Sequence, residues 1–241
     1  MQLIPLKSRP LESGDNLLSA LEKSLKQKKE RLKNGDILVI ASKIVAYSQG
    51  RLVSVKNDKD FKKIVRKEAD KVLEEGEIVF TLKNRVLIPN AGIDNSNTPK
   101  HTVVLWPDKP FKAARELLQK LKKLKKLQKL GILISDSHCQ PLRLGTSGIA
   151  IGWAGFAGVQ DVRGKKDLFG KKMKYTQIAI ADNLASAANL LMGETNASIP
   201  FVIARGFKAG WTTKKASADE YFIHPKECLY RSFYTDKLKN F

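Results

Sequence analysis

The chain has 241 residues, enough for one large domain or two small ones with a real core. A composition of 42% hydrophobic and 28% charged residues excludes a disordered chain, and no apolar run approaches the roughly 20 residues of a bilayer-spanning helix. With 44 Lys+Arg against 24 Asp+Glu the formal charge is +20, a surface suited to anions such as nucleotides, polycarboxylates or nucleic acid, although a general preference for lysine would give the same balance.

The first fifteen residues, MQLIPLKSRPLESGD, lack the basic-then-apolar pattern of a signal peptide, so a cytoplasmic protein is expected. Leu17, Leu18, Leu21, Leu25 and Leu32 recur at helical spacing, which predicts a helix over 14–33 with Ser13 or Asp15 as its cap. After the Asn34-Gly35-Asp36 turn, ILVIAS (37–42) reads as a buried strand. Residues 44–54 read as a strand or short helix, a turn and a strand. A second helix is predicted over 58–75 from Phe61, Ile64, Val65, Ala69 and Val72, followed by strands at 78–82, 85–88 and 102–106.

A third helix, 111–130, carries Leu117, Leu118, Leu121, Leu124, Leu127 and Leu130 on one face and lysines elsewhere, the pattern of a core-facing stripe with a solvated back. GILISD (131–136) reads as a strand and SHCQPLRLG (137–145) as a loop. The small residues of 148–159 predict close backbone packing. A long helix is expected over 175–193, ending at Gly193, and a last strand over 199–206. The tail beyond Phe207 is too aromatic for a disordered one. Strands and helices mix without a regular βαβ rhythm, and neither a GxxxxGK[ST] loop nor a GxGxxG after a strand is present. Cys139 and Cys228 lack a metal-binding spacing and are expected as reduced thiols.

Three turns carry oxygen donors. NAGIDNSN (90–97) places Asp94 among Asn90, Asn95, Ser96 and Asn97, a set suited to a hard divalent cation, though equally made of ordinary turn formers. Asp136 and Ser137 stand at the end of a buried strand, where ligands often sit and where caps and turns also occur. MGETNASIP (192–200) offers Glu194 and backbone amides between a helix and a strand. His138 reads as structural.

Taken in order, GDILVIASKIVAYSQGR (35–51), NAGIDNSN, ISDSHCQPLRLG (134–145), AIGWAGFAGVQDVRGKKDLFG (150–170) and the ADNLASAANLLMGE to IPFVIARG run (181–206) resemble the coenzyme F-420-0:L-glutamate ligases, the gamma-glutamyl ligases of the deazaflavin coenzyme. The resemblance spans about 5–207. It implies an α+β fold with mixed sheets and flanking helices, in a two-part protomer that forms an intertwined homodimer. Residues 1–207 would be the ligase unit, made of two intertwined subdomains, and 208–241 a C-terminal extension of unknown role.

It further implies GTP as co-substrate, Mg²⁺ or Mn²⁺, and potassium as a helper. The acceptor carboxylate would be phosphorylated and then attacked by the amino group of glutamate. Asp94 and Asp136 match the family's metal-binding, catalytic aspartates. Ser137 matches the neighbouring hydroxyl ligand, and Glu194, or a residue beside it, would complete a second metal site. Ser42, Lys43 and Asn97 match nucleotide contacts, the loop containing Met192, Gly193, Thr195 and Asn196 matches the segment around the nucleotide, and Pro10 and Leu11 join it in a looser register. Three places depart from the pattern. Tyr47 stands for a second lysine, His138-Cys139-Gln140-Pro141 for a Phe-Gly-Arg-Pro run, and Asn183 for an acidic residue. The departures bear on the substrate more than on the reaction. A folate glutamate ligase of the same family is the alternative acceptor reading. A degenerate nucleotide- or nucleic-acid-binding protein is the alternative in another class, with no recognisable nucleic-acid module behind it.

Overall fold

The computed structural model describes residues 1–234, and the end of the expected 208–241 extension lies outside the described residues. The chain opens with β1 (Gln2–Leu6), a strand that the hydrophobic pattern leaves unmarked because it is short and carries Pro5. Proline is tolerated there because β1 is an edge strand. Helix α1 covers Leu17–Lys28, shorter than expected at both ends. Asn16, rather than Ser13 or Asp15, caps it by accepting from Ser19 N at 3.0 Å, and Lys29 closes it in the left-handed region at φ 55. Asp15 is instead engaged by Arg9 and by the backbone of Glu12.

Strand β2 (Asp36–Ala41) runs into α2 (Ser42–Ser48), which resolves the segment after the strand as helix, followed by β3 (Leu52–Ser54). Helix α3 ends at Glu68, having begun at Asp58 behind the Asn57 cap. The expectation of helix to residue 75 fails: Ala69 is extended, and β4 (Lys71–Glu75) pairs with β5 (Val79–Lys83). Val72 fits a helical stripe and a strand alternation equally well, and the cross-strand pairing decides between them. Strand β6 (Val86–Pro89) completes this three-stranded sheet, and β7 (Thr102–Val104) pairs with β3.

Helix α4 (Pro110–Lys125) leads to β8 (Leu130–Cys139), which extends through residues expected as loop because 137–139 pair with β9 (Thr146–Ala154). Strands β10 (Val159–Asp161) and β11 (Gln177–Ala179) form a separate ribbon. Helix α5 starts at Ile180 and ends at Met192. Of its expected first residues, 177–179 form β11 instead and 175–176 precede that strand, and Gly193 closes the helix at φ 69. Strand β12 is Phe201–Arg205.

The main sheet has the order β1-β12-β2-β8-β9, mixed, with β2 and β8 parallel and the other pairs antiparallel. One face carries Leu38, Ile40, Ile132 and Ile134 against α1, α2 and α4. The other carries Ile37, Val39, Leu133 and Val202 against α5. A smaller core, with Val65, Val79, Ile93, Val103 and Leu105, holds the 52–105 part together. The fold is therefore α+β, with mixed sheets and flanking helices.

Two details bear on the site. In β9 the register slips between Ile134 and Ser135 of its partner, so Ile151 is an extra residue. Such a bulge re-aims side chains. Here Ile151 and Gly152 both meet the α4 side, while Ala150 and Trp153 meet the α5 side. The small residues of this strand do allow close packing. A methyl at Gly148 would come within 2.8 Å of Ser186 N in α5, and one at Gly152 within 2.6 Å of the Pro110 carbonyl carbon. The tail returns to the body. Trp211 bridges Phe156, Ala216 is buried, and Tyr221 stacks edge-on against Trp153 at 4.9 Å while its hydroxyl bonds Asp182. Asp219 pairs with Arg85, whose guanidinium also lies over the Phe222 ring.

Candidate active site

The β2–α2 junction puts Ser42 and Lys43 at the carboxyl end of the sheet, because the apolar strand stops at Ala41 and the helix starts at once. Ser42 Oγ donates to Asp136 Oδ1 at 3.0 Å, and Ser137 N donates to the same oxygen at 3.0 Å. The indole N–H of Trp106 donates to Asp136 Oδ2. Burial pushes the Asp136 carboxyl up to about 6 against these donors, and the charge of Asp94 adds to the rise.

Asp94 comes from the 52–105 part. Its backbone pairs with Val104, which fixes the turn to the end of β7. Lys43 Nζ lies 2.7 Å from Asp94 Oδ2 and also donates to Ser96 O and Ser96 Oγ at 2.8 and 2.9 Å. Ser96 N and Oγ donate to the Asp94 carboxylate at 2.7 and 2.9 Å. Burial works against ionisation, but the Lys43 and Ser96 donors outweigh it and hold Asp94 below the usual carboxylate range.

The far wall is the turn after α5. Asn97 Nδ2 donates to Thr195 O at 2.9 Å, joining the Asp94 turn to this loop, and Tyr47 Oη donates to Asn97 O at 3.3 Å. Burial, helped by the charge of Asp94, raises the Tyr47 phenol. Glu194 accepts from Asn189 Nδ2 at 2.9 Å and Thr146 Oγ1 at 3.3 Å. Ser8 N donates to Ser198 O, which brings Pro10 and Leu11 onto the same rim.

These walls enclose an open cleft of about 390 Å³. The metal-type candidates Asp94, Asp136, Ser137 and Glu194 all line it. So do Ser42, Lys43 and Asn97, and so do Pro10, Leu11, Met192, Gly193, Thr195 and Asn196. Candidates up to 186 positions apart in sequence, from Pro10 to Asn196, thus share one cleft. His138 Nδ1 lies 3.1 Å from Ser147 O, and both cysteines are free.

Sequence reasoning missed Arg9, Ser135, Asn189 and the indole of Trp106. Trp106 lay within an apolar run read only as strand, whereas Ser135 stands in the Ser135-Asp136-Ser137 run singled out at the end of the buried strand, where it was given no role of its own. Ser135 Oγ is buried with no hydrogen-bond partner. Buried polar atoms without partners are uncommon.

The donor chemistry fits one hard divalent cation. Two carboxylates that repel one another and an unpartnered hydroxyl share the cleft, and all are oxygen donors. Glu194 does not extend that set, since among the described residues no three His, Cys, Asp or Glu side chains come together as ligands.

A family profile described as F420-0:Gamma-glutamyl ligase matches residues 5–206. The chain belongs to this family. Among relatives of this gamma-glutamyl ligase family, a protein of Methanocaldococcus jannaschii named Coenzyme F420:L-glutamate ligase is 35% identical over 81% of this chain and 84% of its own length. One of the same name from Methanopyrus kandleri is 33% identical over 85% and 86%. Another from Archaeoglobus fulgidus is 31% identical over 96% of both. The family profile ends one residue past β12, so the packed tail at 207–222 lies beyond the profile, although the Archaeoglobus fulgidus alignment, at 96% of this chain, reaches into it.

Proposed function

We propose that the cleft joins L-glutamate to the carboxylate of coenzyme F-420-0 as an amide, driven by GTP through an acyl phosphate. The observation that supports this most directly is the meeting of Asp94 and Asp136, from two parts of the chain, beside Lys43. In this reading a carboxylate oxygen of the acceptor attacks the γ-phosphorus and GDP departs. The amine of glutamate, in its neutral form, then attacks the acyl carbon. The C–O bond to phosphate breaks, inorganic phosphate leaves, and the nitrogen loses one proton.

The residues of this chain bind and orient. Lys43 offers a point positive charge to phosphate oxygens, while Ser42, Asn97 and the loop with Met192, Gly193, Thr195 and Asn196 cradle the nucleotide against Pro10 and Leu11. Asp94 and Asp136, with the Ser137 hydroxyl, would hold one Mg²⁺ or Mn²⁺, and Glu194 lines the same cleft without a cation assigned to it. The metal's contribution is to offset the charge of phosphates and carboxylate brought together. Potassium is a further helper with no residue assigned. The protomer works as a homodimer.

The test is a product assay. Purified protein is incubated with GTP, Mn²⁺, K⁺ and L-glutamate, and with either the deazaflavin precursor or a reduced folate, and each acceptor is weighed by mass spectrometry. One glutamyl increment on the deazaflavin precursor is expected. It should vanish, with the fold retained, in Asp94→Asn and Asp136→Asn. An adduct on folate alone would replace the acceptor. No adduct on either from folded protein would sink the ligase reading.

A further inference from the structure

Trp106 touches the surroundings of both acids. Its ring is 2% exposed and belongs to the core beneath the main sheet. Its N–H reaches Asp136, 30 residues further on. Its ring lies directly against Gly92, two residues before Asp94, so closely that a methyl group on Gly92 would overlap the indole. Gly92 is also at φ 71, a conformation that favours glycine. The Trp106 backbone is held in turn, because its carbonyl accepts from Arg51 Nε at 3.1 Å and Arg51 pairs with Glu68 at 2.6 Å.

We propose that Trp106 is a positioning residue for the two-carboxylate site, its N–H fixing the Asp136 carboxylate while its ring sets the height of the turn that carries Asp94. This rests on the reading that the two aspartates hold a divalent cation. A carboxylate has about four acceptor positions, and Asp136 already receives donors from Ser42, Ser137 and Trp106. Its rotamer is therefore fixed before any cation arrives. Partners of this kind, which orient a ligand without touching the metal, typically change metal affinity by about 10–100-fold when removed. Phenylalanine at 106 would keep an aromatic ring against Gly92 and lose the N–H. Alanine at 92 would keep the N–H and lift the turn.

The experiment uses the full chain without nucleotide. Mn²⁺ is titrated into wild type, Trp106→Phe, Gly92→Ala and Asp136→Asn, with free Mn²⁺ read by electron paramagnetic resonance and folding checked by circular dichroism. Wild type should bind. Asp136→Asn should lose the site, and Trp106→Phe should bind about 10–100-fold more weakly at unchanged secondary structure. A purely structural role would lower the melting temperature of Trp106→Phe and leave the affinity of the folded protein alone, and that result overturns the proposal.

Should the Trp106 and Gly92 variants not fold, wild type still decides. Paramagnetic Mn²⁺ bound at Asp136 must quench the adjoining indole, so tryptophan fluorescence should fall with the midpoint of direct binding, and Asp136→Asn should abolish the drop. Binding without quenching overturns the positioning role. If wild type binds no Mn²⁺, or Asp136→Asn binds as wild type does, the metal reading fails with it.

Discussion

Asp94 and Asp136 share a cleft but are pushed in opposite directions by what surrounds them. Asp94 is held low by Lys43 and Ser96 against the cost of burial, so its ionised form is favoured in the fold. Asp136 is raised to about 6 by burial, from an ordinary value of 3.8. Linkage fixes the sign for Asp136. Between about pH 4 and 6 the native state keeps a proton that the unfolded chain has released, so this group lowers stability as pH rises through that window. With metal removed by EDTA, urea unfolding of wild type and Asp136→Asn at pH 4 and pH 7 should show the difference moving toward the variant by on the order of 2 kcal/mol. A difference that stays flat with pH would mean that the carboxyl is not raised. The acids were legible in the sequence because each sits in a run of oxygen-bearing residues. The imbalance between them was not, because it comes from Lys43, 51 residues before Asp94, and from the burial of Asp136, which outweighs even the donors that the fold brings to it from Ser42 and Trp106.

Elements were legible where one periodicity stood alone. The continuous apolar runs of β2 and β8 each point to one structure and were found, and the stripe of α4 holds as far as Lys125, beyond which Leu127 follows the helix cap and Leu130, expected as its last helical residue, opens β8 instead. The segment 71–75 was lost because Val72 completes a helical stripe as readily as a strand alternation. The glycines of β9 show the opposite case, where composition pointed to a packing contact before the element itself was defined. Gly148 lets the strand lie on the backbone of α5 near Ala185 and Ser186, and Ser186 Oγ donates to Gly148 O at 2.8 Å. The helix leads directly to Gly193 and the cleft wall. Gly148→Ala should therefore push α5 from the sheet and cost about 2 kcal/mol, as overpacking does. For a chain of this size that is a drop of roughly 4–8 °C in melting temperature, measured by calorimetry. A variant that melts with wild type would show that the strand and helix have slack.

At the scale of the whole molecule, surface area carries information that no residue pattern does. A compact monomer of 26.9 kDa should expose roughly 11,000 Å². This chain exposes 14792 Å². Part of the difference lies in arms that the sequence pattern treated as ordinary loops. Leu142 and Leu144 are fully exposed beyond the end of β8, and Leu168 and Phe169 stand free between β10 and β11. Isolated exposed apolar residues are common, but pairs at the tips of two arms suit a surface that another copy covers. A net charge of +20 opposes association in general, so any dimer must rest on contacts of this apolar kind. The proposed homodimer then has a definite consequence. Light scattering after gel filtration should give about twice the chain mass for wild type, and the Leu142→Asp, Leu144→Asp double variant should shift it toward the single chain. Wild type running at the mass of one chain would remove the homodimer from the proposal, and a double variant that stays dimeric would move the interface away from this arm.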